Sequence, residues 1–254
     1  MKKQSIIIVM AMGLLYGVSA QNADRLVEDM VNELGGKKAF YDLNNVSYDM
    51  EYSDPNSGMS LKSRETYVFE NELSHAVYSE HSALGAKGKV SEGFNGADAW
   101  IKFDGKIAED KQAKGMARFF RKTNFYWFSM LFKLQDQGVN LEHIGSKKTN
   151  GSTYDLVRVT FDENIGDTQD TYVLYINKET KLVDQFLFTV VAFGITEPEL
   201  MTLRYETING IKIPSERAYI ASNWDAEVVG KTWAKTTWKN IEFNKEIGTA
   251  LFDQ

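Results

Sequence analysis

The stretch Ile208-Asn209-Gly210-Ile211-Lys212-Ile213-Pro214 decides the fold. Asn-Gly between β-branched residues is the strongest short-range hairpin signal. A two-residue turn that matches the twist of its strands needs positive φ at both central positions. Asparagine tolerates that region, and glycine has no Cβ to forbid it. The sequence therefore predicts two antiparallel strands joined at Asn209 and Gly210.

Period-two alternation continues on both sides of this turn. Tyr154 to Phe161 and Tyr172 to Ile176 flank a polar loop containing Gly166, and Asn177 to Lys181 turns the chain into a strand over Leu182 to Phe193. Val228 to Phe243 reads as a last long strand. Earlier, Asn45 to Ser53 sets Val46, Tyr48, Met50 and Tyr52 on one side, and Pro55-Asn56-Ser57-Gly58 is a turn. Leu61 to Phe69 puts Leu61, Tyr67 and Phe69 on one face, and Leu73 to Glu80 and Trp100 to Phe103 follow. About ten strands joined by short turns predict one meandering antiparallel sheet, strongly curved or nearly closed. With no repeat or linker in view, residues 21–254 are expected to form a single domain.

Two segments have helical spacing instead. Leu26, Met30 and Leu34, with Val27 and Val31 beside them, form one apolar stripe. Asn22 or Asp24 can cap its start, and Gly35-Gly36 ends it. The second segment, Lys111 to Gln135, repeats Ala113, Met116, Ala117, Phe120, Trp127, Leu131 and Leu134, and adds Phe119, Phe125, Tyr126, Phe128 and Phe132. From Phe125 to Phe132 only Ser129 is polar. A helix apolar on every side is buried in a core or faces an apolar ligand, and both readings stand at this point.

The start of the chain reads as a cleavable secretory signal over residues 1–20. Lys2 and Lys3 give a positive start, Ile6 to Tyr16 an apolar run, and Val18-Ser19-Ala20 the small residues a signal peptidase tests. The run is shorter than the ~20 residues a membrane-spanning helix needs. A mature, soluble, periplasmic chain beginning at Gln21 is expected. No cysteine is present, so the cysteine-linked lipid anchor of a bacterial lipoprotein, disulfides and thiol chemistry are not expected. The formal charge is −6 before Lys2 and Lys3 are removed, and Lys147-Lys148 is the main basic cluster. Such a chain is no match for nucleic acid or an anionic membrane surface.

Catalytic signals are sparse. His75, His81 and His143 are scattered, with no further His or Cys to complete a zinc set. No serine sits in a Gly-x-Ser-x-Gly elbow, and Gly85, Gly88, Gly93 and Gly96 do not have phosphate-loop spacing. Asp162 to Asp170 lacks the fixed ligand positions of a calcium loop. No carboxylate pair stands out, so the acidic residues read as surface charge. No catalytic residue, metal or cofactor is expected, and the chain reads as a non-enzyme.

The order of an export signal, an amphipathic helix ending in Gly-Gly, and a strand meander interrupted by an aromatic helix resembles the LolA/LolB type of lipoprotein-localisation factor, especially the exported LolA-like proteins of Bacteroidetes. The likeness rests on Gly35-Gly36-Lys37-Lys38-Ala39-Phe40, Trp127-Phe128-Ser129-Met130-Leu131-Phe132-Lys133-Leu134, Tyr175-Ile176-Asn177-Lys178-Glu179-Thr180-Lys181-Leu182 and Ile241-Glu242-Phe243-Asn244. It implies a mainly β fold with helices (α+β), a half-open β-barrel whose concave face is capped by helices over an apolar cavity for acyl chains. Phe119, Phe120, Phe125, Trp127, Phe128, Leu131 and Phe132 are then expected to line the cavity and its lid. In that family an arginine on an early strand fastens the lid. Arg64 lies on such a strand, but its neighbourhood does not match, so the role is not transferred. The function implied is a periplasmic binding or carrier protein for a lipidic ligand, the acyl chains of lipoproteins included. The alternative is a non-catalytic structural or interaction module of the same fold with a filled core.

Overall fold

The computed structural model describes residues 22–83, 88–163, 165 and 169–253. The expected signal segment, 1–20, lies outside the described residues, as does Gly166. The elements are α1 (22–33), α2 (Lys37–Tyr41), β1 (Asn45–Asp54), β2 (Met59–Val68), β3 (Leu73–His81), β4 (Val90–Phe94), β5 (Ala99–Phe103), β6 (Lys106–Ile107), α3 (Lys111–Lys133), β7 (Val139–Thr149), β8 (Ser152–Phe161), β9 (Tyr172–Asn177), β10 (Val183–Val190), β11 (Ile195–Ile208), β12 (Ile211–Ala221) and β13 (Ala234–Phe243). The chain is mainly β. Hydrogen bonding orders the strands β6-β5-β4-β3-β2-β1-β13-β12-β11-β10-β9-β8-β7, an open antiparallel sheet. Consecutive strands are neighbours throughout, except that α3 carries the chain from one end of the order to the other, and β13 returns to pair with β1.

Residues divide between two compact units. One holds α1, β7 to β10, β11 as far as Thr202, and Ile220–Gly230. In it Leu26, Val27, Met30, Val31 and Leu34 are all buried, so the α1 stripe packs as its spacing requires. Every residue of β9 is buried, which its near-continuous apolar run Tyr172-Val173-Leu174-Tyr175-Ile176 anticipates. The strand expected over Leu182 to Phe193 stops at Val190. Val191–Phe193 form a 3₁₀ turn closed by Gly194 at φ +72°. The last strand is also shorter than expected. Residues 222–230 fold back, with Ser222 bridging Val228 and the Val229 and Gly230 amides donating to the Ala221 carbonyl, so regular pairing starts only at Ala234.

The other unit holds Gly35–Met130, Leu203–Tyr219 and the chain from Lys231 onward. The Asn209-Gly210 turn is as expected, with φ of 51° and 83° joining β11 to β12. Gly35, at φ +120°, lies against this turn, where a Cβ would come within 2.7 Å of the Gly210 carbonyl oxygen. Gly35 is therefore fixed by packing as well as by backbone conformation.

Two bulges set which side chains share a face. On β3, Lys62 faces Glu80 and Ser63 faces Tyr78, which leaves Ser79 unpaired. On β13, Ser47 faces Glu242 and Asp49 faces Lys239, with Asn240 at φ 51° taking up the extra residue. An added residue reverses the parity of a strand. Tyr78 and His81 thus come to one face despite their odd spacing, as do Trp238 and Phe243.

Candidate functional site

In this second unit α3 lies along the sheet. Asp110 caps it, its carboxylate accepting the Ala113 amide at 2.8 Å. Ala113, Ala117, Phe120, Arg121, Phe125 and Phe128 are buried, one stripe at helical spacing. Phe128 is the hub of a ring cluster. It stacks on Tyr48 at 5.5 Å and meets Trp238 at 5.4 Å, Phe69 at 6.2 Å, and Phe40 and Phe243 at 6.4 Å. Phe125 packs on Tyr67 and Phe69, and Phe120 on His81. Phe119 and Trp127 are half-buried. Leu131 and Phe132 are buried too, but they belong to the first unit. The seven expected lining residues therefore divide into a packed group and a partly open pair, with the last two elsewhere.

Arg121 occupies a position in the stripe where an apolar residue would be expected. It is 0% exposed. Its Nη1 and Nη2 donate to the two Glu65 oxygens at 2.5 and 3.2 Å, its Nε to Glu92 at 3.1 Å, and Nη2 also to the Tyr78 hydroxyl at 2.8 Å. Tyr67 and Ser63 donate to Glu65, and Tyr78 to Glu92. His81 Nε2 lies 3.3 Å from Glu92, while its Nδ1 has no hydrogen-bond partner. Burial alone would lower the Arg121 pKa, but the facing carboxylates and tyrosines hold it well above its ordinary value. The same burial, with Glu65 and Glu92 close by, raises Tyr67 and Tyr78. Glu65 and Glu92 thus correct the reading of the acidic residues as surface charge. They lie on the inward parity of β2 and β4, and Arg121 compensates them there.

Arg217 is the counterpart without a carboxylate. It follows Ile211, Ile213 and Ser215 on the buried parity of β12 and is 8% exposed. Its guanidinium carbon lies 3.9 Å from the Trp238 ring centre and 5.5 Å from that of Trp127, and Nη1 donates to the Trp127 main-chain oxygen at 3.3 Å. Among the described residues no carboxylate pairs with it. Burial pushes its pKa down to about 10, offset only in part by Tyr48 and Tyr67, so it stays charged at neutral pH. Against it, the Trp238 Nε1 is buried with no hydrogen-bond partner. Arg64, by contrast, is a surface residue of β2, bonded to Asp49 at 3.2 Å and Glu242 at 2.9 Å.

The scattered histidines divide by face. His75 lies on the opposite side of β3, where its ring meets Trp100 at 5.8 Å. His143, in the first unit, bonds Asn22 and Asp155. Both buried arginines were readable in principle. Arg121 falls four residues after Ala117 and four before Phe125, and Arg217 shares parity with Ile211 and Ile213. A charge inside an apolar period was the signal.

Residues 3–194 match the model of DUF6503, a family of unknown function. No curated protein matches the sequence. Solved structures resemble the fold at low identity. A DUF1329 family protein from Desulfovibrio piger has a TM-score of 0.55 at 12% identity, covering 91% of this chain and 97% of its own. A LolA superfamily protein from Nitrosomonas europaea has a TM-score of 0.53 at 12% identity, with the same coverages. An outer membrane lipoprotein-sorting protein domain, so described, from Vibrio parahaemolyticus has a TM-score of 0.51 at 11% identity, covering 92% of this chain and 97% of its own. The fold is therefore LolA-like. Among the described residues no helix is long and apolar enough to cross a membrane.

Proposed function

From the premise that the chain belongs to the DUF6503 family and has a LolA-like fold, we propose that it binds or carries an apolar, lipidic ligand. The observation that carries this reading is the composition of α3. Its buried stripe uses Phe120, Phe125 and Phe128, yet Phe119, Tyr126 and Trp127 remain half-buried. Aromatic surface beyond what packing needs is available to an acyl chain, and each CH₂ so buried contributes about 0.8 kcal/mol. Acyl chains of lipoproteins are one such ligand. An export signal over residues 1–20 suits a periplasmic carrier, and a mature mass beginning at Gln21 is the expected result for exported protein. The binding test is titration of the folded protein with a fluorescent fatty acid, alongside lipid extraction from protein taken from its own host. Saturable uptake at micromolar concentration or below is expected. No uptake of fatty acid, phospholipid or lipopeptide would overturn the reading.

One observation favours a second reading, a non-catalytic module with a filled core. The Phe128 ring cluster and the Arg121 cluster occupy the inner face of β1 to β4 with the chain's own side chains. Under this reading the wild type takes up no probe, and substitutions in α3 change stability alone.

A further inference from the structure

A guanidinium that keeps its charge in a buried site, with no counter-ion, is costly. Arg217 is in that position. It uses a single hydrogen bond, to the Trp127 carbonyl, and otherwise rests on two indole faces. Its other N–H donors have no partner among the described residues. A further donor beside it, Trp238 Nε1–H, is also without a hydrogen-bond partner. The two share one neighbourhood, since the Arg217 guanidinium carbon lies 3.9 Å from the Trp238 ring centre. Spare donors around one positive charge lack a negative acceptor. The other buried arginine, Arg121, shows the difference, because two carboxylates and a tyrosine satisfy it within the chain.

We propose that Arg217, with Trp238, receives the anionic group of an acidic amphiphile, a carboxylate or phosphate joined to an acyl chain. Trp127 links this site to the apolar one, because its main-chain oxygen holds Arg217 while its ring stays half-buried on α3. The inference rests on the lipid-binding reading and narrows it. The ligand is not merely apolar but carries one negative end, which enters with its charge and replaces bonds the donors lack.

The test compares ligands of one chain length, palmitate against its methyl ester and its alcohol, and phosphatidic acid against diacylglycerol. Acetate and inorganic phosphate serve as headgroups without chains. The acids are expected to bind about ten- to a hundred-fold tighter than their neutral partners, the worth of a charge-assisted hydrogen bond. Free acetate and phosphate are expected to compete weakly. In Arg217→Met the preference for the acid disappears while uptake of the ester persists. The melting temperature of the ligand-free variant is unchanged or higher, since an uncompensated buried charge has been removed. Acid and ester binding equally to the wild type would overturn the inference and leave the lipid-binding reading intact. Inorganic phosphate binding as tightly as phosphatidic acid would also overturn it, pointing to a simple anion site. Uptake of no ligand at all would instead defeat the lipid-binding reading. Arg217→Met melting well below the wild type would mark Arg217 as a structural residue.

Discussion

Arg121 on α3 holds both carboxylate oxygens of Glu65 on β2, at 2.5 and 3.2 Å, and neither side chain reaches solvent. A buried ion pair is weak evidence for stability, because desolvation offsets much of its attraction. Removing one member is another matter. In Arg121→Met, Glu65 and Glu92 would be left as unpaired charges in the same buried space. A loss of about 3–5 kcal/mol is expected in urea unfolding. Adding Glu65→Gln and Glu92→Gln should restore a large part of it. A triple variant no better than the single one would show that packing, and not charge, sets the cost.

Phe128 and Trp127 are adjacent yet should respond differently to the same change. Phe128→Asp places a charge among the five rings that surround Phe128 and is expected to unfold the protein, since even truncation of a buried Phe costs about 3–5 kcal/mol. Trp127→Asp alters a half-buried ring and should leave a folded protein with weaker uptake of fluorescent fatty acid. Circular dichroism and probe titration on the two variants together separate these effects. Trp127→Asp binding as well as wild type would remove α3 from the ligand site.

Gly35 and Gly36 both have positive φ, 120° and 93°, but only Gly35 meets neighbouring backbone. Alanine is strained at either position, by about 1–3 kcal/mol. At Gly35 its methyl group must also displace the Gly210 carbonyl and the Ile211 Cα, whereas nothing lies within 4 Å of the Cβ position at Gly36. Gly35→Ala is expected to be the more damaging substitution in thermal melts. Equal melting temperatures would mean that the close approach to the hairpin adds nothing.

His75 gives a pH dependence with a defined sign. Burial, and then the charges of Arg121 and Lys102, lower its pKa from 6.5 to about 4 against the opposing pull of Glu65. Unfolded, His75 takes up a proton below about pH 6.5, while folded it stays neutral until about pH 4. Its share of stability is complete above that window and is lost as pH falls through it. His75→Gln should therefore flatten the decline in urea stability between pH 6.5 and 4. Parallel curves for the two proteins would show that His75 titrates normally.

The hairpin at Asn209-Gly210, the α1 stripe and the extent of α3 were legible because each rests on a local signal of turn chemistry or period. What was not legible depended on events between strands. β7 is half-exposed along most of its length, so Val139–Thr149 lacks a clean alternation. The bulges at Ser79 and Asn240 change parity where no single strand announces it. His81 and Phe243 were placed by those insertions, not by spacing. At the site, the aromatic residues of α3 were visible as a group, but the division between packed Phe128 and partly open Trp127 follows from neighbours on β1 and β13. Arg121 and Arg217 showed only as charges inside apolar periods, and Glu65 and Glu92 read as surface charge because their partners come together only once β2, β3, β4 and α3 are assembled.

The pairing of β1 with β13 constrains the order in which this chain can fold. Val46 meets Phe243 and Ser53 meets Lys235, so one side of β1 has no partner until almost the whole polypeptide is available. A chain emerging from its N-terminus would carry that strand as a bare edge throughout synthesis. Exposed edges template wrong pairings, and contacts this distant in sequence form slowly. Until its last strand is available, the unfinished chain is open to mispairing at β1. Truncation near the C-terminus, by removing β13, would leave β1 without its last neighbour.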